Sequence, residues 1–131
     1  MRVLCGLKIL IVDGDPDMRE VTKLVLVHSR AQVISAATAY EGLEQLQAHR
    51  PDVIVSDIGM PQMDGYEFIR LVRNLPVQLG GQTPAVALTA FNLGTDRTRA
   101  LKAGFQKHLS KPYDLQELIE TVASVAGRPL V

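Results

Sequence analysis

Short apolar runs alternate with longer segments of helical periodicity along the chain. That alternation predicts a parallel sheet wrapped by helices. The first strand is expected over Lys8–Val12, broken by Asp13-Gly14-Asp15-Pro16-Asp17. A helix then runs to about His28, with apolar Met18, Val21, Leu24 and Val25 on one face. Gln32–Ala36 alternates and reads as a strand near an edge. Tyr40–His49 is helical, with Leu43, Leu46 and Gln47 in phase, and Pro51 stops it. Val53–Val55 is unbroken and apolar, as in a strand covered on both faces.

After a loop over Ser56–Gly65, Asp64 caps a helix to about Asn74, with Glu67 at capping-box spacing. Pro76–Thr83 is a Gly- and Pro-rich loop, and Ala85–Leu88 a fourth strand. Asn92–Ala103 is a helix ended by Gly104, and Lys107–Leu109 a short fifth strand. Asp114 caps a last helix to about Ala126, whose core positions are Leu115, Leu118, Ile119 and Val122. Right-handed crossovers restrict the topology. Ligands of such sheets bind at the carboxyl ends of the strands.

The chain has 131 residues, enough for one domain with a real core. Its 14 Lys+Arg balance its 14 Asp+Glu, which argues against nucleic acid or an anionic membrane as a direct partner. Apolar residues make up 47% and charged residues 21%, an ordinary globular composition. The longest apolar runs, Ile9–Val12 and Leu24–Val27 among them, fall far short of a membrane span. No signal-peptide pattern precedes the first strand. A lone cysteine, Cys5, forms no internal disulfide and suits a reducing compartment. The expectation is a cytoplasmic protein, with residues 1–6 a loose arm, 7–127 the folded domain and 128–131 a tail. Since the last helix ends near Ala126-Gly127-Arg128-Pro129, no output domain is expected.

Four strand ends carry chemistry. The first leads into Asp13, Asp15 and Asp17; the third into Asp57; the fourth into Thr89; the fifth into Lys111. Clustered carboxylates repel, so such a site needs a cation or a proton. Carboxylates suit a hard ion such as Mg²⁺, which also takes waters and phosphate oxygens. A lysine and a hydroxyl facing the same point suit an oxyanion. Together these groups make a phosphoryl-transfer site, and a carboxylate can itself be the nucleophile.

The segment Val55-Ser56-Asp57-Ile58-Gly59-Met60-Pro61-Gln62-Met63-Asp64-Gly65-Tyr66-Glu67 resembles the central motif of response-regulator receiver domains. So do the acidic cluster after the first strand, Leu88-Thr89-Ala90 and Ser110-Lys111-Pro112. The resemblance runs from Leu7 to about Ala126 and includes the receiver segments of hybrid sensor histidine kinases. It implies a doubly wound, flavodoxin-like α/β fold with strand order 2-1-3-4-5. It implies that Asp57 accepts a phosphoryl group from a histidine kinase or histidine phosphotransfer protein. Thr89 and Lys111 would then bind that group, and Mg²⁺ would sit on Asp13, Asp57 and the backbone carbonyl of Gly59. His108 stands where many receivers have a switching Tyr or Phe. The switched surface, and a homodimer face, would be the fourth helix, fifth strand and fifth helix. Self-catalysed transfer and hydrolysis are the expected chemistry, not turnover of a substrate.

One departure affects the metal. Receivers carry two adjacent acids after the first strand, and the second falls on Gly14. A lost carboxylate weakens Mg²⁺ binding unless Asp15 substitutes. The alternative function is therefore a phosphorylation-impaired interaction module. A third reading takes Asp13-Gly14-Asp15 as the start of a haloacid-dehalogenase-type phosphatase with Asp13 as nucleophile; Asp17 and the short chain argue against it. A calcium loop fails at Met18 and Leu24, where Gly and Glu are needed. Blander roles suit the other conspicuous residues: Asp15 and Asp64 as caps, Asp17 beside a helix dipole, Met60 and Met63 in packing, and His28 and His49 on the surface.

Overall fold

A computed structural model describes residues 4–60, 62–89, 94–110 and 114–127. The sheet comprises β1 (Lys8–Val12), β2 (Gln32–Ala36), β3 (Val53–Asp57), β4 (Ala85–Thr89) and β5 (Lys107–Ser110). All pairings are parallel and the order is β2-β1-β3-β4-β5, with the Gln32–Ala36 strand at an edge as its alternation predicts. The helices are α1 (Pro16–His28), α2 (Ala39–His49), α3 (Gly65–Arg73), α4 (Gly94–Ala103) and α5 (Leu115–Val125). A 3-10 turn over Val77–Leu79 adds structure to the segment read as a plain loop.

The two faces of the sheet hold separate cores. Leu10, Val12, Ile54, Ala85 and Ala87 meet α2, α3 and α4 on one face. Ile9, Ile11, Val55, Val86 and Leu88 meet α1 and α5 on the other. Central strands read as continuous apolar runs because alternate residues serve opposite cores. Fully burying each such Val, Leu or Ile side chain contributes about 1.5–3 kcal/mol.

Three helical faces differ from those the periodicity predicts. On α1 the buried residues are Thr22 and Leu26, while Val21, Leu24 and Val27 are exposed. Val25 is half-buried against the same core, so the inward stripe mixes the polar Thr22 with apolar Val25 and Leu26. On α2 the inner positions are Ala39, Gly42 and Leu46, and Gln47 is exposed. Gly42 is needed for contact: a Cβ there would lie 3.0 Å from Val12 and 3.1 Å from Phe68. On α5, Leu118, Ile119, Val122 and Ala123 are buried but Leu115 is exposed. The segment expected to be a loose arm contributes Leu4, which is fully buried in the α1/α5 core, while Cys5 beside it is exposed.

The helix starts follow their caps. Asp15, Thr38, Asp64 and Asp114 are extended residues whose side chains accept amide hydrogens of the first turns. These caps place the starts of α1, α2, α3 and α5 at the carboxyl edge of the sheet.

Candidate functional site

β1 hands the chain to Asp13, whose amide still donates to Ala36 of β2 at 3.1 Å. The Asp13 side chain is only 1% exposed. Its Oδ1 accepts the Asp15 amide at 2.9 Å, and Asp15 Oδ1 in turn accepts the Asp17 amide at 3.0 Å. Arg19 Nη1 donates to the Asp13 carbonyl at 2.8 Å. The first acid is thus locked to the start of α1, and Asp15 acts as helix cap. Gly14 between them is exposed and brings no ligand.

β3 extends two residues past its expected end, because Ser56 and Asp57 pair with Ala87 and Leu88 of β4. Asp57 is half-exposed at the tip of the middle strand. Ser56 Oγ donates to the Asp57 carbonyl at 2.9 Å, and the Ile58 amide donates to Leu88 at 3.1 Å. The following turn closes on itself, with the Gly65 amide donating to the Ile58 carbonyl at 2.9 Å. A Cβ on Gly65 would lie 2.6 Å from the Asp57 carbonyl oxygen, so residue 65 must be glycine for the strand tip to hold this position. At Gly59 a Cβ would meet nothing within 4 Å, so any demand there falls on its backbone.

β4 ends in Thr89, 5% exposed, one residue beyond the partner of Asp57. Its hydroxyl lies 2.7 Å from Nε2 of His108 on β5. Asp13, Asp57 and Thr89 therefore share one edge across the adjacent strands β1, β3 and β4, and His108 joins them through Thr89. Lys111 and Pro112 lie outside the described residues.

Among the described residues no group of three His, Cys, Asp or Glu side chains is placed to hold a metal. Mg²⁺ asks for only one or two carboxylates, with waters and phosphate oxygens completing its shell. Asp13 and Asp57 are two carboxylates at the same edge of the sheet.

Two supporting residues escape sequence reading. Arg73, at the end of α3, donates to the carbonyls of Gly104, Gly81 and Thr83 and to Gln106 Oε1. Burial lowers its pKa from the usual guanidinium value, yet the group stays charged. It ties α3 to the approaches of β4 and β5. Arg99 of α4 stacks 4.1 Å over the ring of Tyr66 at the start of α3. A basic residue in a last helical turn ordinarily reads as a dipole partner, so nothing in the sequence distinguishes Arg73.

The family model for the response regulator receiver domain matches residues 9–123. A 14.6 kDa protein of Leptolyngbya boryana is 44% identical over 93% of this chain and 92% of its own length. The response regulator Rre1 of Synechocystis is 37% identical over 93% of this chain, which spans about half, 52%, of that regulator. Among solved structures, the chemotaxis response regulator CheY4 of Vibrio cholerae superposes with a TM-score of 0.82 at 32% identity, covering 91% of this chain and 98% of that one. The signal receiver domain of a signal transduction histidine kinase from Syntrophus aciditrophicus gives 0.84 at 30% identity, covering 93% and 91%.

Proposed function

The chain belongs to the response-regulator receiver domain family, and on that premise we propose that Asp57 accepts a phosphoryl group from a phosphohistidine of a histidine kinase or histidine phosphotransfer protein. The observation that carries this reading is the order of strand ends: Asp13 after β1, Asp57 on β3 and Thr89 on β4, on neighbouring strands.

In the transfer, an Asp57 carboxylate oxygen bonds to phosphorus as the nitrogen–phosphorus bond breaks. The donor imidazole keeps that electron pair and takes a proton from solvent. Little else is asked of the protein beyond position and charge. The Thr89 hydroxyl donates to an arriving phosphoryl oxygen, and Lys111 is read from the motif as its ammonium partner. Asp13, Asp57 and the Gly59 carbonyl would hold Mg²⁺, which when bound neutralises charge on the phosphoryl oxygens. Attack of water on phosphorus resets the site. The switched surface is α4, β5 and α5, which is also the homodimer face. The donor's seat is the exposed apolar stripe Val21, Leu24 and Val27 of α1 with Leu115 of α5. Both helices begin at the edge where Asp57 stands, so a protein covering that edge meets them. The setting this chemistry implies is the cytoplasm, and among the described residues no helix is long and apolar enough to cross a membrane.

The test is incubation with acetyl phosphate and Mg²⁺, read by intact mass. One phosphate adduct, lost in Asp57→Asn, is the expected result; an adduct retained in that variant refutes the assignment. Gly14 favours a second reading, the impaired interaction module. That reading gains if the native chain stays unmodified while Gly14→Asp becomes phosphorylated. The phosphatase reading needs Asp13 as nucleophile, and a carboxylate 1% exposed with Oδ1 engaged by the Asp15 amide is poorly set for attack.

A further inference from the structure

The contact between Thr89 and His108 has a consequence that a phenyl ring at position 108 would not bring. His108 pairs in register with Ala87, two residues before Thr89 on the same face of the sheet. The small Ala87 side chain leaves the imidazole room to lean along β4, and Nε2 reaches the Thr89 hydroxyl at 2.7 Å. That distance is short for a nitrogen–oxygen hydrogen bond.

The bond has two forms. A neutral ring with a bare Nε2 accepts the hydroxyl hydrogen, and Thr89 then has no proton left to donate to a phosphoryl oxygen. A ring carrying Nε2–H donates to the hydroxyl oxygen instead, and the hydroxyl hydrogen can turn to the phosphoryl group. A protonated imidazole permits only the second form. It also places a positive charge one hydroxyl away from an arriving dianion, an arrangement that favours the charged ring.

We propose that His108 is a positioning residue that sets the direction of the Thr89 hydroxyl, so that protonation of its ring and phosphorylation of Asp57 promote each other. This deepens the reading of Asp57 as phosphoacceptor and rests on it. Reciprocity follows from linkage: if the proton favours the phosphoryl state, the phosphoryl group raises the proton affinity of His108 by the same factor. His108 also lines a surface cavity of about 500 Å³ between α4, β5 and α5. The charged groups it meets there are Arg97 of α4, Lys107 of β5 and Glu117 of α5. β4 brings Ala85, Ala87 and Thr89 to this side, none of them charged. These charges are present with or without phosphate, so they set the midpoint of the titration while the phosphoryl group moves it.

The experiment follows ring-proton NMR signals of the native chain from pH 5.5 to 8.5, alone and in excess acetyl phosphate with Mg²⁺. Intact mass scores the Asp57 adduct in parallel. His108→Asn identifies the His108 signal and keeps a hydrogen-bonding group that does not titrate; Asp57→Asn in acetyl phosphate controls for the added salt. His28 and His49, exposed at helix ends, serve as internal references. The expected result is a His108 midpoint raised by about 0.7 pH units or more on phosphorylation, a coupling of at least about fivefold. The phosphorylated fraction rises by a matching factor as pH falls through that midpoint, and His108→Asn abolishes this dependence. An adduct with an unmoved or lowered His108 midpoint overturns the inference alone, as does a pH dependence retained in His108→Asn. No adduct on Asp57 overturns the phosphoacceptor reading and this inference with it.

Discussion

The two helical layers treat their apolar residues differently. In the layer of α2, α3 and α4, most apolar residues of α3 turn inward: Tyr66, Phe68, Ile69 and Val72 are buried against the sheet, while Leu71 is exposed. In the opposite layer, α1 buries Thr22 and Leu26 and turns Val21, Leu24 and Val27 to solvent, with Leu24 61% exposed. Leu115 of α5, 53% exposed, stands across a shallow groove from Leu24. α3 uses most of its hydrophobic pattern to fold, and α1 keeps much of its pattern on display. Helical periodicity alone does not tell these destinations apart, because both place apolar residues three and four apart. What separates them is the buried stripe, which is apolar on α3 but includes the polar Thr22 beside Leu26 on α1.

Substitutions at four positions sharpen the contrast. Phe68→Ala leaves a cavity at the centre of the first layer and should cost about 3–5 kcal/mol in urea unfolding. A cost under about 1 kcal/mol would mean that layer is not the tightly packed one. Arg73→Ala strips hydrogen bonds from three backbone carbonyls and Gln106 and should cost about 2–3 kcal/mol. Arg73→Lys should recover only part of this loss, since a lysine cannot reproduce the forked geometry. Leu24→Glu should leave unfolding within about 0.5 kcal/mol of native. The same change should slow phosphotransfer from a cognate histidine kinase about tenfold, equivalent to about 1.4 kcal/mol. Its rate with acetyl phosphate should not move, and equal slowing with both donors would rule out α1 as the donor's seat. Asp15→Asn keeps a capping oxygen and should change both stability and Mg²⁺ affinity least, with stability shifting by a few tenths of a kcal/mol. A clear loss of Mg²⁺ affinity by calorimetry would make Asp15 a ligand as well as a cap.

Much of this architecture is legible in the residues. Apolar runs between Asp, Gly and Pro breakers delimit the strands, and Asp64 and Asp114 announce their helices. The strand ends at Ser56-Asp57 and Thr89 are harder to read, because polar residues extend these strands through backbone pairing with a neighbour distant in sequence. The inner stripe of α1 escapes because Thr22 is polar yet buried. Gly42 escapes because its contribution is the absence of a side chain. The acids and the threonine of the site stand out at strand ends, whereas the Thr89–His108 bond depends on register, which places those two residues diagonally on one face. Arg73 is invisible beforehand because its acceptors are carbonyls, and every residue has one.

The tight approach of Gly65 to the Asp57 carbonyl bears on how such a chain can diverge. The strand tip and the first residue of α3 are in contact through backbone, so neither can be redesigned alone. A longer turn between them, or any side chain at position 65, would have to shift Asp57 or lift α3 off the sheet. Variation is thereby steered away from this junction and toward the outward surfaces of the helices, where new partners can be acquired while the strand tip is inherited intact.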